Sequence, residues 1–353
     1  MDDEPLTQPE KELSSELTGL NKGQKELKKK QLIIGIVAGV SLAILIIIII
    51  VVSATGSNNK SSPNLKGEIN LTYDVSNTLE PIPILGIDFR KEPSEFDIYV
   101  NNTKIKYVKE YKFDSIGINT VQIKLYSDLN MDYMFRGVED LIDVEMHSNG
   151  KCKITSMIST FEDCKNLKNF IIFNFNTEKL TSTHKLFYNS KLEQYNFSNF
   201  DTYNLLDISY MFAHTELVNF TFGDFNTQSV TNMSHLLEDC YSLINIDATG
   251  ANTSNVIDMS YMFKSVGSVA YMVLTYFDTK NVKYMNNMFQ DCITLSLLGQ
   301  NFDTRNVVDL SYFLDSCFTL SLVDVSNFDT SNVKNMSNMF RYCANLGYVY
   351  LGI

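Results

Sequence analysis

One residue pattern recurs nine times between residue 131 and the C-terminus, at intervals of 25 or 26 residues. Its most regular position, called here the anchor, is Phe in seven copies and Leu in two. Repeats of roughly 20–50 residues indicate coils that bury their apolar side chains only by stacking on one another. The pattern therefore predicts a solenoid. The anchors are Phe135, Phe161, Phe187, Phe212, Leu237, Phe263, Phe289, Leu314 and Phe340.

Methionine follows the same period. Eleven of the 13 internal methionines lie either four residues or one residue before an anchor, as in Met259-x-x-Met262-Phe263. Residues at i, i+3 and i+4 share one face of a helical turn, so this spacing predicts a short helix with one buried stripe. Such a stripe could also ligate haem or a soft metal, but its repetition in successive coils favours core packing.

A second segment, Leu-x-x-Φ-x-Φ with Φ apolar, begins five or six residues after most anchors. Its alternation predicts one strand per coil with every second side chain directed inward, as in leucine-rich repeats. Leu167-Phe170-Ile172 is a typical copy, whereas Leu295-Leu298-Gln300 departs from the pattern at its last position.

An Asn or Asp followed by Thr stands eleven residues before each of seven anchors. Asx side chains accept the backbone N–H two residues further on, so the pair predicts a turn in each coil. Stacked Asp residues could instead bind Ca²⁺, but three of the seven copies have Asn, which removes charge that a calcium site needs. The seven positions are Asn176, Asp201, Asn226, Asn252, Asp278, Asp303 and Asp329.

The segment from Asn327 to Leu346, NFDTSNVKNMSNMFRYCANL, resembles the repeat of the BspA-like surface proteins, whose signature is FDTSNVTNMSxMFxxC. The resemblance covers residues 127–353. It implies a leucine-rich-repeat protein of the cell surface, without enzymatic activity, that acts in adhesion or in interaction with a host or matrix. It implies no catalytic residues.

Residues 32–52 form a charge-free run of 21 residues from Leu32 to Val52. A helix of that length spans roughly 31 Å, the thickness of the hydrocarbon core of a bilayer. Five lysines lie within ten residues before the run and only Lys60 and Lys66 follow closely, which places the N-terminus in the cytoplasm and residues 53–353 outside. We expect an uncleaved signal anchor; the alternative is cleavage near Val52-Ser53-Ala54.

The remaining organisation follows from composition. Residues 1–31 lack apolar periodicity and are expected to be a disordered cytoplasmic tail, and residues 53–67 read as a polar stalk. Residues 68–126 contain about five short alternating segments, which predict a small β-sandwich resembling Ig or PKD modules. The expected fold is thus mixed β/α: a transmembrane helix, a small sandwich, and a leucine-rich-repeat solenoid of about nine coils over 127–353.

Little in the chain indicates catalysis. The net charge of −12 disfavours nucleic-acid binding, and no nucleophile, phosphate-loop or zinc motif is present. We therefore expect no enzyme activity, cofactor or metal site. His184, His214 and His235 lie in successive coils at different positions relative to the anchor, which predicts three separate exposed side chains.

Five of the six cysteines lie three residues after an anchor, a position that other coils fill with Ser190, Thr215 or Val266. This predicts a small buried position with free thiols. Because stacked coils lie about 5 Å apart, disulfides between adjacent coils are the alternative. They would join neighbours among Cys292, Cys317 and Cys343, or Cys152 to Cys164.

The outward side of the strands carries the predicted binding surface. In coils six to nine it is apolar and aromatic where water would otherwise contact it, and such patches commonly mark partner surfaces; cross-strand pairing is the alternative. The candidate surface consists of Tyr271, Val273, Leu297, Leu322, Asp324, Tyr348 and Tyr350. Glycosylation candidates in Asn-x-Ser/Thr sequences are Asn59, Asn70, Asn101, Asn196, Asn219 and Asn252.

These features predict a single-pass membrane glycoprotein of the cell surface that binds an extracellular protein or glycan through the strand face of the solenoid. Two other functions remain open. The protein could be a receptor that signals through its short tail, or a passive antigenic coat.

Overall fold

The structure is a computed structural model that describes residues 64–90, 95–197, 200–267, 272–274, 276–292 and 302–351. Within these ranges the chain forms a β-solenoid of about eight turns, delimited by the nine anchors. None of the described residues forms an α-helix. The described residues contain no helix of the length and apolar character needed to cross a membrane. The span expected at 32–52 lies outside these residues.

Seven strands precede the solenoid strands in sequence. The alternating apolar residues predicted as strands are confirmed most clearly in the longest two, whose inward positions are buried. Asn101 and Asn102 form the turn that joins the third and fourth strands, and both adopt positive φ (46° and 66°). The strands are β1 (Gly67–Val75), β2 (Ile82–Pro83), β3 (Phe96–Val100), β4 (Thr103–Ile105), β5 (Glu110–Tyr111), β6 (Gly117–Leu125) and β7 (Leu129–Asn130).

Most coils of the solenoid contribute one strand after their anchor, as the Leu-x-x-Φ-x-Φ segments predict. Neighbouring coils pair in parallel; Phe170 lies beside Val144 and Ile246 beside Phe220. These strands are β8 (Leu141–Ser148), β10 (Asn169–Phe173), β11 (Gln194–Asn196), β12 (Asn219–Thr221), β13 (Asn245–Asp247), β14 (Met272–Val273), β15 (Leu322–Val325) and β16 (Tyr348–Leu351). One further strand, β9 (Ile154–Ser156), pairs with β7.

The N-terminal strands do not form a sandwich separate from the solenoid. Strand β1 pairs antiparallel with β6 on one side and with β8, the first solenoid strand, on the other. One sheet of seven strands therefore runs β11-β10-β8-β1-β6-β3-β4. Residues 67–125, called here the N-terminal cap, cover the first coil of the solenoid. Because β1 pairs with the edge of β8, this edge is protected from pairing with another chain.

The turn around each anchor is not the short helix that the Met-x-x-Met-Phe spacing suggests. The residues two before and two after every anchor have positive φ, between 52° and 71°, which a right-handed helix cannot accommodate. The N–H groups alternate between two partners. Tyr261 and Phe263 donate to the next coil, at Asn286 O and Met288 O, whereas the intervening Met262 donates within its own coil. Hydrogen bonding between coils thus replaces the helical pattern.

The core is periodic, as the sequence predicts. The rings of Phe135, Phe161 and Phe187 stack at centroid distances of 5.3 and 5.6 Å, nearly parallel. The methionines before the anchors pack beside them and are fully buried in most coils, including Met259 and Met262. Burial of this kind along the whole repeat supplies the main stabilisation of the fold.

All six cysteines are free, and five are buried. Instead of forming disulfides, the thiols three residues after the anchors donate hydrogen bonds to the anchor carbonyl of the preceding coil. Cys240 Sγ donates to Phe212 O at 3.0 Å and Cys317 Sγ to Phe289 O at 3.1 Å. The small buried position predicted from Ser, Thr and Val at the same place is confirmed.

The Asx-Thr pairs form the predicted turns. In all seven copies the Asx side chain accepts the backbone N–H two residues later; Asp201 Oδ1 lies 2.9 Å from Tyr203 N and Asp329 Oδ1 2.9 Å from Ser331 N. The Thr of six copies is also buried and donates to the backbone carbonyl of the Asx residue in the next coil. These residues are Thr177, Thr202, Thr227, Thr253, Thr279 and Thr304.

Candidate functional site

The strand face of the last two coils brings four of the predicted binding residues together. In the parallel pair of β15 and β16, Leu322 lies beside Tyr348, and Asp324 lies beside Tyr350. The two tyrosines are 69% and 54% exposed. The other two residues of β16, Val349 and Leu351, are exposed as well, because β15 is the only described neighbour of β16, whereas both valines of β15 are buried. The pair therefore presents two aromatic side chains, one aliphatic side chain and one carboxylate on a single surface, called here the strand-face patch.

Asp324 stays anionic within this patch. The side chain and backbone of Ser326 hydrogen-bond its carboxylate, with Ser326 N 2.9 Å from Oδ1, and they hold the pKa of Asp324 below its usual value. A fixed negative charge beside exposed aromatic rings suits a ligand that offers both hydrogen-bond donors and an apolar face.

The other predicted members of this surface are placed less completely. Val273 lies on β14, in register with Asp247 of the preceding coil. Tyr271 and Leu297 lie outside the described residues. Their membership of the binding surface stays a prediction.

Earlier coils present a more polar strand face. Its outward positions carry amides, carboxylates and a hydroxyl, and Asn169 Nδ2 donates to Asp143 Oδ1 of the preceding coil at 2.5 Å. Ile171 and Phe173 are the apolar exceptions. The polar positions are Asp143, Glu145, Asn169, Gln194, Asn196, Asn219, Thr221, Asn245 and Asp247. The exposed tyrosines thus distinguish the last coil from these coils.

The turns around the anchors contradict the prediction of three separate histidines. The rings of His184 and His235 both contact Tyr210, the first edge-on at 5.7 Å and the second nearly parallel at 4.0 Å. His214 contacts Tyr188 at 5.1 Å, and Tyr188 contacts Tyr210 at 6.0 Å. Stacking brings adjacent coils within ring contact, so different positions within the repeat still meet in space.

Tyr261 completes this aromatic cluster by stacking on the other side of His235, at 4.3 Å. Tyr210, His235 and Tyr261 all stand two residues before an anchor, and that shared position is the sequence signal that would have revealed the stack. Both faces of the His235 ring are covered. The stack therefore stabilises the packing of three coils and leaves no platform for a ligand ring on His235.

A buried carboxylate ties this cluster together. Glu238 is 7% exposed and lies 2.5 Å from His235 Nδ1 and 2.9 Å from Lys264 Nζ. Burial alone would raise the pKa of Glu238, but the hydrogen bonds from His235 and Lys264 outweigh burial and hold the pKa below its usual value. The carboxylate is thus a structural anion.

A second buried carboxylate, Asp315, is fully enclosed and pairs with Arg341 through two hydrogen bonds, at 3.0 Å from Nε and 2.8 Å from Nη2. Gln290 Nε2 adds a third at 3.1 Å. A bidentate pair of this kind is strong and directional. Like Glu238, Asp315 links neighbouring coils and is not free for chemistry.

The described residues offer little to a metal or to nucleophilic catalysis. No group of three or more His, Cys, Asp or Glu side chains within the described ranges could hold a metal ion. Burial raises the pKa of Cys240 to about 11 and that of Cys292 to about 12, so these thiols stay protonated and weakly nucleophilic.

The candidate glycosylation residues differ in accessibility. Asn219 is exposed on β12, whereas Asn196 is half-buried on β11. Asn70 accepts a hydrogen bond from Gln122, Asn101 donates to Asn119, and Asn252 caps its own turn. Asn59 lies outside the described residues. Glycosylation at any of these residues stays a prediction.

A stacked array of such coils, held together by contacts that recur from coil to coil, defines a repeat protein of the β-solenoid class. The chain belongs to the family described as Mycoplasma protein of unknown function, DUF285, whose family model matches residues 155–276 and 268–348. The two matches together cover more than half of the chain. No curated protein and no solved structure matches the chain.

Proposed function

We propose that the protein is a membrane-anchored cell-surface protein of the BspA-like kind that binds an extracellular protein or glycan through the strand face of its solenoid. The observation that carries the proposal is the strand-face patch, in which Tyr348 and Tyr350 are exposed beside Leu322 and Asp324. Exposed aromatic side chains of this size add large contact area at low entropic cost when a partner covers them.

The orientation of the chain in the membrane is supported by the sequence alone. The apolar run at 32–52 and the lysines before it favour an N-terminus in the cytoplasm and a solenoid outside. Protease treatment of intact cells that carry the full chain tests this orientation. We expect loss of the solenoid from intact cells; protection of the solenoid until the cells are lysed would contradict it.

Binding is tested with cells that display the full chain and are applied to arrays of glycans and of extracellular matrix proteins. We expect retention of these cells on at least one array component and loss of that retention in the double variant Tyr348→Ser with Tyr350→Ser. A chain that binds nothing on either array although it is displayed would contradict an adhesive function and favour the passive coat.

A matched control distinguishes the strand face from general loss of aromatic surface. Tyr203 and Tyr241 are 49% and 66% exposed, close to the values of the two strand-face tyrosines, but neither lies on a strand. The double variant Tyr203→Ser with Tyr241→Ser should bind as well as the unmodified chain. Equal loss in both double variants would overturn the assignment of the strand face.

A further inference from the structure

A cavity of about 590 Å³ opens where the N-terminal cap meets the first coil of the solenoid. Ligand cavities in proteins have volumes of roughly 300–1,000 Å³, so this one has room for a small molecule. It is remote from the strand-face patch along the chain, and no part of that patch lines it. Its polar lining consists of Asp88, Arg90, Asn130, Asp132, Tyr133 and Arg136.

The loop of the N-terminal cap that contains Gly86 takes the place of a preceding coil at this point. In the solenoid each anchor N–H donates to the carbonyl just before the next anchor, as Phe135 N does to Thr160 O at 2.9 Å. Gly86 N makes the equivalent bond to Met134 O at 2.7 Å. Gly86 fits only because it lacks a side chain; an added Cβ would lie 2.2 Å from Tyr133 O.

The loop replaces the backbone of a preceding coil but not its ring. Tyr133 stands two residues before its anchor, the position at which Tyr210, His235 and Tyr261 stack on one another at 4.0 and 4.3 Å. Within the described part of the chain no aromatic ring packs against Tyr133, and the side chain is 36% exposed beside the cavity. Three successive coils stack rings at this position, whereas no described ring packs on Tyr133, and the guanidinium of Arg136 lies 5.8 Å from the centroid of its ring.

The polar groups around the ring are held in place by the protein. Asp132 Oδ1 accepts Ile158 N at 2.8 Å, and its Oδ2 accepts Asn130 Nδ2 at 3.2 Å. Arg136 is fixed by Asp88, at 3.0 Å, and by the buried Glu162, at 3.1 Å. A carboxylate has about four acceptor sites and a guanidinium five donors, so each group keeps hydrogen-bonding capacity for a ligand.

We propose that this cavity is a saccharide-binding site. The apolar C–H face of a sugar ring would pack on Tyr133, while its hydroxyl groups donate to Asp88 and Asp132 and accept from Arg136. Two carboxylates and two guanidiniums line the cavity, so the charges balance and a neutral, hydroxyl-rich ring fits better than a charged ligand. The volume accommodates one or two sugar residues.

The test uses the purified full chain in a detergent without sugar groups, applied to a glycan array that includes neutral hexoses and N-acetylhexosamines. The variant Tyr133→Asn removes the ring. Asn stands at the same position of the repeat in two other coils, Asn287 and Asn338, with φ of 59° in both, so the backbone tolerates it. The matched control is Tyr312→Asn, at the same repeat position but away from the cavity.

We expect saccharide binding that falls at least tenfold in Tyr133→Asn and is unchanged in Tyr312→Asn. The strand-face variant Tyr348→Ser with Tyr350→Ser should keep this binding, which separates the two sites. Three results would overturn the proposal: no saccharide bound above background, binding unaffected by Tyr133→Asn, or equal loss in both asparagine variants.

Discussion

The side chain of Thr253 makes two hydrogen bonds with the backbone of Asp278 in the next coil. Its Oγ1 donates to the Asp278 carbonyl at 3.0 Å and accepts the Asp278 N–H at 2.8 Å. The Asp278 side chain in turn caps its own turn by accepting Lys280 N at 3.1 Å. A two-residue motif therefore fixes both the turn within a coil and the contact between coils.

Replacing Thr253 with Val should weaken this contact locally. Val has nearly the shape of Thr but leaves the Asp278 amide and carbonyl without a partner, at a site where Thr253 is 1% exposed. Leaving buried polar groups unpaired costs about 1–3 kcal/mol. We expect hydrogen exchange of the Asp278 amide to accelerate about tenfold or more, with Thr253→Ser, which keeps the hydroxyl, much closer to the unmodified chain. Unchanged exchange in Thr253→Val would contradict this role.

Cys240 and Cys292 should be unreactive in the folded protein. Burial raises the pKa of Cys240 to about 11 and that of Cys292 to about 12, and the thiolate is the reactive form. At pH 8 we expect a thiol reagent such as DTNB to leave both unmodified until denaturant is added, while an introduced thiol at the exposed Glu178 reacts at once. Rapid modification of Cys240 or Cys292 without denaturant would show that the coils open.

Acidification should destabilise the solenoid through His184. Burial lowers the pKa of this imidazole below 6.5, so folding favours its neutral form. Its contribution is present above about pH 6.5 and is lost as the pH falls through the lowered value. The melting temperature of His184→Gln should therefore depend less on pH between 6.5 and 5 than that of the unmodified chain. Identical pH profiles would exclude the histidine as a source of the dependence.

Much of the solenoid could be predicted because its burial repeats with the sequence. The anchors and the methionines before them are buried in every coil except the last, and the Asx residues form the same turn in all seven copies, so one copy supports the interpretation of the next. The strands followed in the same way: Phe170 and Ile246 are buried where alternation predicts.

The turn geometry could not be predicted from spacing. Helical spacing and the observed turns place Met259, Met262 and Phe263 on one side alike, and only the positive φ of residues such as Tyr261 and Ser265 separates the two. Tyrosine is not a residue from which positive φ is expected. Its cost is offset by hydrogen bonds to the next coil, which no local pattern reveals.

The N-terminal cap and the aromatic cluster were missed for a related reason. The pairing of Ile69 with Met146 joins segments almost 80 residues apart, and neither segment signals the other. His214 and His235 looked unrelated because they occupy different positions in the repeat, although stacking brings both into one cluster. Contacts between coils depend on the rise from one coil to the next.

That rise can be measured directly with spin-label pairs at exposed positions that share one place in the repeat. Glu178, Lys280 and Ser331 each stand nine residues before an anchor and are exposed. A stacking distance of about 4.8 Å per coil predicts a separation of about 19 Å between Glu178 and Lys280, which lie four coils apart. It predicts about 29 Å between Glu178 and Ser331, which lie six coils apart. Separations that grow in this proportion would support the solenoid. A second distance equal to or shorter than the first would contradict it.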